Sequence, residues 1–227
     1  METKKVRKKK FNFLKFLIVL LFLYILITGT MYLISVPIKN IVILNNNYIT
    51  DEKIIETAGI KDYPSFFKTT SFRIKKKLKK LELVEDIKVR KKLGFVLEID
   101  ITEKKILYLT RANNLYTTSA SEELELKEEI NGIPVLINFV PEEIEKSLIE
   151  KMKELNINSI SKISEVEYAP TTYDDERFIL YMNDTNMVYI TINKITKMNK
   201  YNSIVLKLEG HSGILYLDSG NYFEIKE

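Results

Sequence analysis

Twenty consecutive residues without a charge, Phe16 to Ser35 (FLIVLLFLYILITGTMYLIS), constrain this chain more than any other feature. At ~1.5 Å of rise per residue, a helix of that length covers roughly 30 Å, the thickness of a bilayer's hydrocarbon core. A buried core helix that is this long and apolar on every side is unusual. A cleaved signal peptide would carry a shorter apolar region, about 7–15 residues, followed by a small-residue cleavage site. The stretch GTMYLISVP offers no such site, and a chain without cysteine has no lipid-modified leader. The run therefore reads as an uncleaved membrane anchor, with Phe16, Leu20, Ile27 and Ile34 among its anchoring residues. Gly29 and the neighbouring threonines do not form a G-x-x-x-G pattern, so no helix dimer is implied.

Charge gives the anchor a direction. Residues 1–15 hold seven Lys and Arg (Lys4, Lys5, Arg7, Lys8, Lys9, Lys10 and Lys15) against Glu2. The positive-inside rule then places 1–15 in the cytoplasm and everything from residue 37 outside. Beyond residue 36 there are 28 basic and 30 acidic residues, so the formal charge of +4 resides mainly in the tail. A nucleic-acid footprint would need a basic soluble domain, which this balance denies. The absence of cysteine excludes disulfides and thiolate metal sites and suits either side of a bacterial membrane.

After the span, Pro37 ends the helix, because proline lacks the N–H and disfavours helix at the residue before it. Lys39 to Leu44 (KNIVIL) is a β-branched strand stopped by the turn residues Asn45-Asn46-Asn47. Thr50 is placed to cap a short helix that turns Ile54, Ile55 and Ala58 inward and ends at Gly59. From Ser71, the residues Phe72, Ile74, Leu78 and Leu81 recur at helical spacing, with lysines covering the other face. Then come two alternating runs, with Ile87 and Val89 in the first and Leu97, Ile99 and Ile101 in the second. They form a hairpin with one buried face around the turn Lys92-Leu93-Gly94. The order is strand, helix, helix, strand, strand.

On these pieces the chain resembles the FtsQ/DivIB family of cell-division proteins. The segment IVILNNNYITDEKI is similar to the first strand, turn and helix of the family's POTRA domain, a small polypeptide-transport-associated fold. LVEDIKVRKKLGFVLEIDITEKK is similar to its final hairpin, with Lys92-Leu93-Gly94 standing where the family's turn commonly carries a proline. The lysine-bearing helix admits two readings. It is either an ordinary solvated face or, through Lys75, Lys76, Lys79 and Lys80, a basic surface for anionic wall polymers or headgroups. Residues 37–104 hold 15 basic and 10 acidic residues. Phe66-Phe67 likewise either covers the core edge or offers a docking point.

Residues 105–227 reverse the sign, with 13 basic and 20 acidic residues, which supports a boundary near residue 104. No Gly-, Pro- or Ser-rich linker marks it, so the two parts are expected to share a continuous sheet edge. Strands are expected at Ile106–Leu109, Leu115–Thr118, Leu124–Leu126, Val135–Leu136, Val166–Tyr168, Phe178–Met182 and Met187–Ile192. A helix after Pro141 places Ile144, Leu148, Met152 and Leu155 on one face. A second joins Ile195, Met198, Tyr201, Ile204, Val205 and Leu208 and ends at Gly210. The close, GILYLDSGNYFEIKE, is β-rich. This order is similar to the family's β-domain, so the resemblance covers essentially the whole chain.

The expected architecture is thus α+β. It comprises a basic tail (1–15), a transmembrane helix (16–36), a β-α-α-β-β POTRA domain (37–104), and a mixed β-sheet domain with helices packed on it (105–227). No catalytic equipment stands out. His211, the single histidine, lies between glycines in EGHSG, where a solvated turn residue is expected. No nucleophile elbow, P-loop or dinucleotide fingerprint occurs, and the acidic groups Glu122-Glu123 and Asp174-Asp175-Glu176 read as hydrated loops. Neither enzyme activity, cofactor, metal, nucleic acid nor small-molecule substrate is expected.

The closing strand carries the positive signal. A terminal strand at a sheet edge presents unpaired N–H and C=O groups, and NYFEI lacks the proline or lysine that usually blunts an edge. The resemblance implies that the final strands bind membrane-anchored coiled-coil division proteins of the FtsB/DivIC and FtsL type, through Tyr216, Leu217, Asp218, Tyr222, Phe223, Glu224 and Ile225. It implies a bitopic scaffold in the cell membrane at the division septum. An anchored extracytoplasmic sensor or a binder of anionic wall polymer is the alternative.

Overall fold

A computed structural model describes residues 12–208 and 210–226, and the lysine-rich tail up to residue 11 lies outside them. The first helix, α1 (Phe13–Ser35), begins three residues before the uncharged run because Asn12 caps it, its side chain accepting from the Lys15 amide at 3.3 Å. No side chain of α1 is buried by the rest of the protein. Its hydroxyls are satisfied internally: Thr28 donates to the Tyr24 carbonyl, Thr30 to Ile27 and Ser35 to Met31, each at 2.8 Å. Such a helix exposes no unsatisfied backbone or hydroxyl group of these residues to hydrocarbon. It stops at Ser35, and Val36, ahead of Pro37, is extended.

Two compact units follow from the packing. One ends at Leu81 and takes in Asp86–Ile101, and the other holds Glu82–Glu85 and the chain from Thr102. The first holds β1 (Asn40–Leu44), α2 (Asp51–Ala58), α3 (Ser71–Leu78) and all but the start of β2 (Val84–Lys92) and the end of β3 (Val96–Glu103), in the expected order. Thr50 caps α2 by accepting from the Lys53 amide at 3.3 Å, and Gly59 closes it at φ 70°. The sheet order is β1-β3-β2, with β1 and β3 parallel and Asn40 beside Val96. As the central strand, β3 is covered on both sides: Leu97, Ile99 and Ile101 are fully buried on one face. Glu98 is buried on the other, beneath Arg90 and Lys92.

One expectation for this unit fails. Phe72 is 76% exposed, because it lies two residues from Ile74 and therefore about 200° around the helix from the buried Ile74–Leu78 stripe. The helix also ends at Leu78, leaving Leu81 half-buried in the turn beyond.

The second unit is a nine-stranded sheet in the order β12-β11-β10-β9-β8-β7-β4-β5-β6. Its strands are β4 (Ile106–Thr110), β5 (Leu115–Thr118), β6 (Glu123–Leu124), β7 (Val135–Leu136), β8 (Ile163–Tyr168), β9 (Arg177–Met182), β10 (Met187–Thr191), β11 (Gly213–Tyr216) and β12 (Tyr222–Ile225). The three- and nine-stranded sheets have no strand in common, so the continuous sheet edge expected across residue 104 is not formed. Parallel pairings β4–β7, β7–β8 and β10–β11 interrupt an otherwise antiparallel ladder.

The helices α4 (Glu142–Met152) and α5 (Ile157–Ile160) are joined in the core by the segment after β10. Ile192–Lys200 is a 3₁₀ turn, followed by the short α6 (Tyr201–Val205), so the single helix expected there is broken. The apolar stripe survives the break: Ile195, Met198 and Tyr201 pack with Leu148 and Met152 on Phe178, Leu180, Val188 and Ile190. A buried amide ties this layer to the closing strands. Asn186, 4% exposed, donates to the Tyr201 hydroxyl at 3.1 Å and accepts from the Gly213 amide at 2.8 Å.

Candidate functional site

The closing strands assemble from parts far apart in sequence. Parallel pairing of β10 with β11 sets Tyr189 beside Tyr216, and antiparallel pairing of β11 with β12 sets Tyr216 beside Tyr222. On the face away from the helices these three rings form a row, with centroids 5.2 Å apart for Tyr189–Tyr216 and 4.6 Å, stacked, for Tyr216–Tyr222. Offset stacking at such separations adds attraction beyond the area buried. Arg177 caps the row, its guanidinium 4.4 Å from the Tyr189 ring centre and its Nε donating to Asp218 at 2.8 Å.

The Tyr216 hydroxyl donates to Glu224 at 2.9 Å, and that bond, reinforced by burial, pushes the phenol up to about 12. It stays protonated at neutral pH and bridges β11 to β12 as a donor. On the opposite face Phe223 packs against the core, and with Ile225, Lys207, Leu208 and His211 it lines a shallow cleft.

β12 is the last strand of the sheet. The Lys226 amide donates to the Ser212 carbonyl at 2.9 Å, which marks the 212–226 pair as hydrogen-bonded. Alternation along an antiparallel ladder then turns the backbone N–H and C=O of Phe223 and Ile225 outward, away from β11. Tyr222 and Ile225 are both 53% exposed.

The structure brings Tyr216, Tyr222, Phe223, Glu224 and Ile225 to this edge and withdraws two other residues named for it. Leu217, 2% exposed, belongs to the core, and Asp218 is committed to Arg177 and the Ser219 amide. Both sit past the end of β11, where the chain turns inward beneath β10 and the Leu217 amide donates to the Tyr189 carbonyl. Sequence reasoning missed Arg177 and Tyr189. The alternation of Met187, Tyr189 and Thr191 against buried Val188 and Ile190 marks the open face, but their neighbours depend on a parallel pairing that no local pattern shows.

The other expected surfaces are scattered. Lys76, Lys79 and Lys80 are exposed and Lys75 half-buried, whereas Lys77 donates to the Ala58 carbonyl at 3.1 Å and fastens α3 to the end of α2. Phe66 covers the core edge, and Phe67 does not. In α1, Phe16, Leu20, Ile27 and Ile34 are all exposed.

His211 lies exposed in the turn after Gly210, its amide donating to the Leu208 carbonyl. Glu122 pairs with Lys104 at 2.7 Å, and Asp174 accepts from the Glu176 amide at 3.0 Å. Among the described residues no group of three or more His, Cys, Asp or Glu could hold a metal ion.

Residues 36–104 match the family model of the POTRA domain, FtsQ-type. The fold thus defines an FtsQ-type POTRA protein with an apolar amino-terminal helix and a second, sheet-rich unit. Cell division protein DivIB of Bacillus cytotoxicus is 30% identical over 193 residues, covering 82% of this chain and 76% of that protein. DivIB of Listeria monocytogenes is 28% identical, covering 98% and 86%, and that of Bacillus subtilis 26%, covering 97% and 87%. The chain belongs to the DivIB family. Among solved structures, the major extracytoplasmic domain of Geobacillus stearothermophilus DivIB aligns at a TM-score of 0.38 and 23% identity, over 48% of this chain and 96% of that one.

Proposed function

We propose that the protein is a bitopic scaffold of the bacterial division machinery, acting at the septum and without chemistry of its own. In this reading α1 spans the cell membrane with residues 1–15 in the cytoplasm. Residues 37–104 and 105–227 are then the extracytoplasmic POTRA and β-domains. Its partners are membrane-anchored coiled-coil division proteins of the FtsB/DivIC and FtsL type. Kinship with proteins named for cell division supports the setting.

The observation that carries the binding mode is the open β12 edge. It offers outward N–H and C=O groups at Phe223 and Ile225 between a tyrosine row on one face and an apolar cleft on the other. A partner strand added there gains affinity from backbone pairing and selectivity from alternate side chains. Tyr222 is the anchor, held by its stack on Tyr216 before any partner arrives.

The test measures binding of purified FtsB/DivIC-type protein to the full chain, with melting temperature alongside. Tyr222→Ala is expected to weaken binding by about 2 kcal/mol, roughly 30-fold, with a smaller fall in melting temperature than Phe223→Ala causes. Phe223→Ala, which empties a packed position, is expected to lower the melting temperature first. Full binding by Tyr222→Ala, together with binding retained after deletion of 221–227, would move the partner surface off this edge.

A further inference from the structure

The membrane-facing end of the first unit is built as a unit of its own. The loop after α2 is stapled to the exit of α1. Ser65 Oγ donates to the Ile34 carbonyl, the Phe66 amide to Val36 at 2.9 Å, and the Ile38 amide to Pro64 at 3.0 Å. The hairpin turn is brought to the same place, because β1 and β3 run parallel and the Lys39 amide donates to the Phe95 carbonyl at 2.9 Å. Phe66, Phe67 and Phe95 meet edge to face, with centroids 5.4 to 6.2 Å apart. Lys39 sits 5.4 Å from the Phe95 ring centre and Lys91 4.8 Å from that of Phe66.

What this cluster leaves outside is apolar: Leu93 at the turn is 98% exposed and Phe67 47%. Surface leucine and phenylalanine are unremarkable singly, but here they share one end of the unit with cations, within a few residues of the helix exit. The 23 residues of α1 cover about 34 Å, against a hydrocarbon core of roughly 30 Å, so a spanning α1 delivers Val36–Lys39 into the headgroup layer. Aromatic rings and lysines are the side chains that layer favours, the rings for their amphipathic fit and the lysines for its anionic phosphates.

We infer that the Phe66–Phe67–Phe95 cluster, with Leu93 at its tip and Lys39 and Lys91 against its rings, docks into the headgroup layer of the bilayer that α1 spans. The docking fixes the first unit upright on the membrane, with β1 and β3 leading away from it. The inference rests on the spanning role of α1. Held this way, the unit passes a defined height and heading to whatever follows it along the chain, instead of swinging on residues 36–39.

The chain contains no tryptophan, so a single introduced one reports alone. Full-length Leu93→Trp and Phe67→Trp are reconstituted in vesicles of phosphatidylethanolamine and phosphatidylglycerol, with or without phosphatidylcholine brominated near the headgroup. Both variants are expected to emit to the blue and to lose about half their emission to the brominated lipid. Leu44→Trp, at the far end of β1 and about 16 Å farther out at ~3.3 Å per residue, is expected to lose none. Ile34→Trp, in the last turn of α1 and so at the level of the bromines if α1 spans, tests the span by itself. If it is quenched while Leu93→Trp and Phe67→Trp behave like Leu44→Trp, docking is overturned and the span stands. If Ile34→Trp itself is unquenched, the span fails and docking with it.

Discussion

Asp218 shows at the scale of one residue how the fold can claim a side chain that sequence assigned to a partner. Burial pushes its carboxyl up, but the Ser219 amide at 2.6 Å and the Arg177 guanidinium at 2.8 Å outweigh burial and hold it below the usual carboxylate range. A folded-state value below the unfolded one means that the ionised form stabilises the protein above the ordinary aspartate value of ~3.9. That contribution drains away as pH falls through the lower, folded value. Asp218→Asn is therefore expected to lower stability at neutral pH by about 1–2 kcal/mol, a figure kept small because the pair is partly solvated. The gap between variant and wild type should narrow as the pH is taken from 5 toward 2. Melting curves across that range check it, and parallel curves would mean that Arg177 does not hold an ionised Asp218.

At the scale of elements, β12 is attached through a close approach that glycine alone permits. A Cβ built on Gly213 would lie 2.0 Å from the Glu224 carbonyl oxygen and 2.9 Å from the Phe223 ring. No rotamer relieves the first contact, because the obstacle is backbone. Gly213→Ala is expected to lift β12 from β11 and raise hydrogen exchange at the Tyr222 and Glu224 amides at least tenfold, with β8–β10 unchanged. Partner binding should fall with it. Unaltered exchange at those two amides would show that β12 is not held by this pairing.

The same scale shows where local reading works. The stripe of Ile74 and Leu78, the Thr50 cap and the left-handed Gly59 are set by neighbours three or four residues away, and all were legible. The stretch after β10 kept its apolar stripe but not its helix, because 3₁₀ and α geometry share similar i, i+3 spacing and packing on the sheet decides between them.

For the molecule as a whole, the testable quantity is orientation. Seven basic residues precede the uncharged run, and Lys39 alone lies close behind it. A chain without cysteine allows single-site labelling at will. Tyr173→Cys, at a fully exposed position, is expected to react with an impermeant thiol reagent in intact cells, and Thr3→Cys is expected to react only after permeabilisation. The reverse pattern would end the extracytoplasmic reading and the proposed place of the partner edge with it.

The apolar run, the β-α-α-β-β order and most of the strand positions were legible in the sequence alone, although β6 lies at Glu123–Leu124 instead of Leu124–Leu126. Hydrophobic period, caps and turn residues act over a few neighbours and can be read along the chain. Tertiary structure decided which strands became neighbours. It made β3 central, which buried Glu98 as well as Leu97, Ile99 and Ile101. It placed β12 outermost, and it joined β10 to β11 in parallel so that Tyr189, Tyr216 and Tyr222 form one row. It also turned Phe72 outward and drew Leu217 inward. Strand pairing is a long-range choice, made where a sheet's total burial is greatest, and a single strand's alternation carries both faces but not the identity of its neighbour.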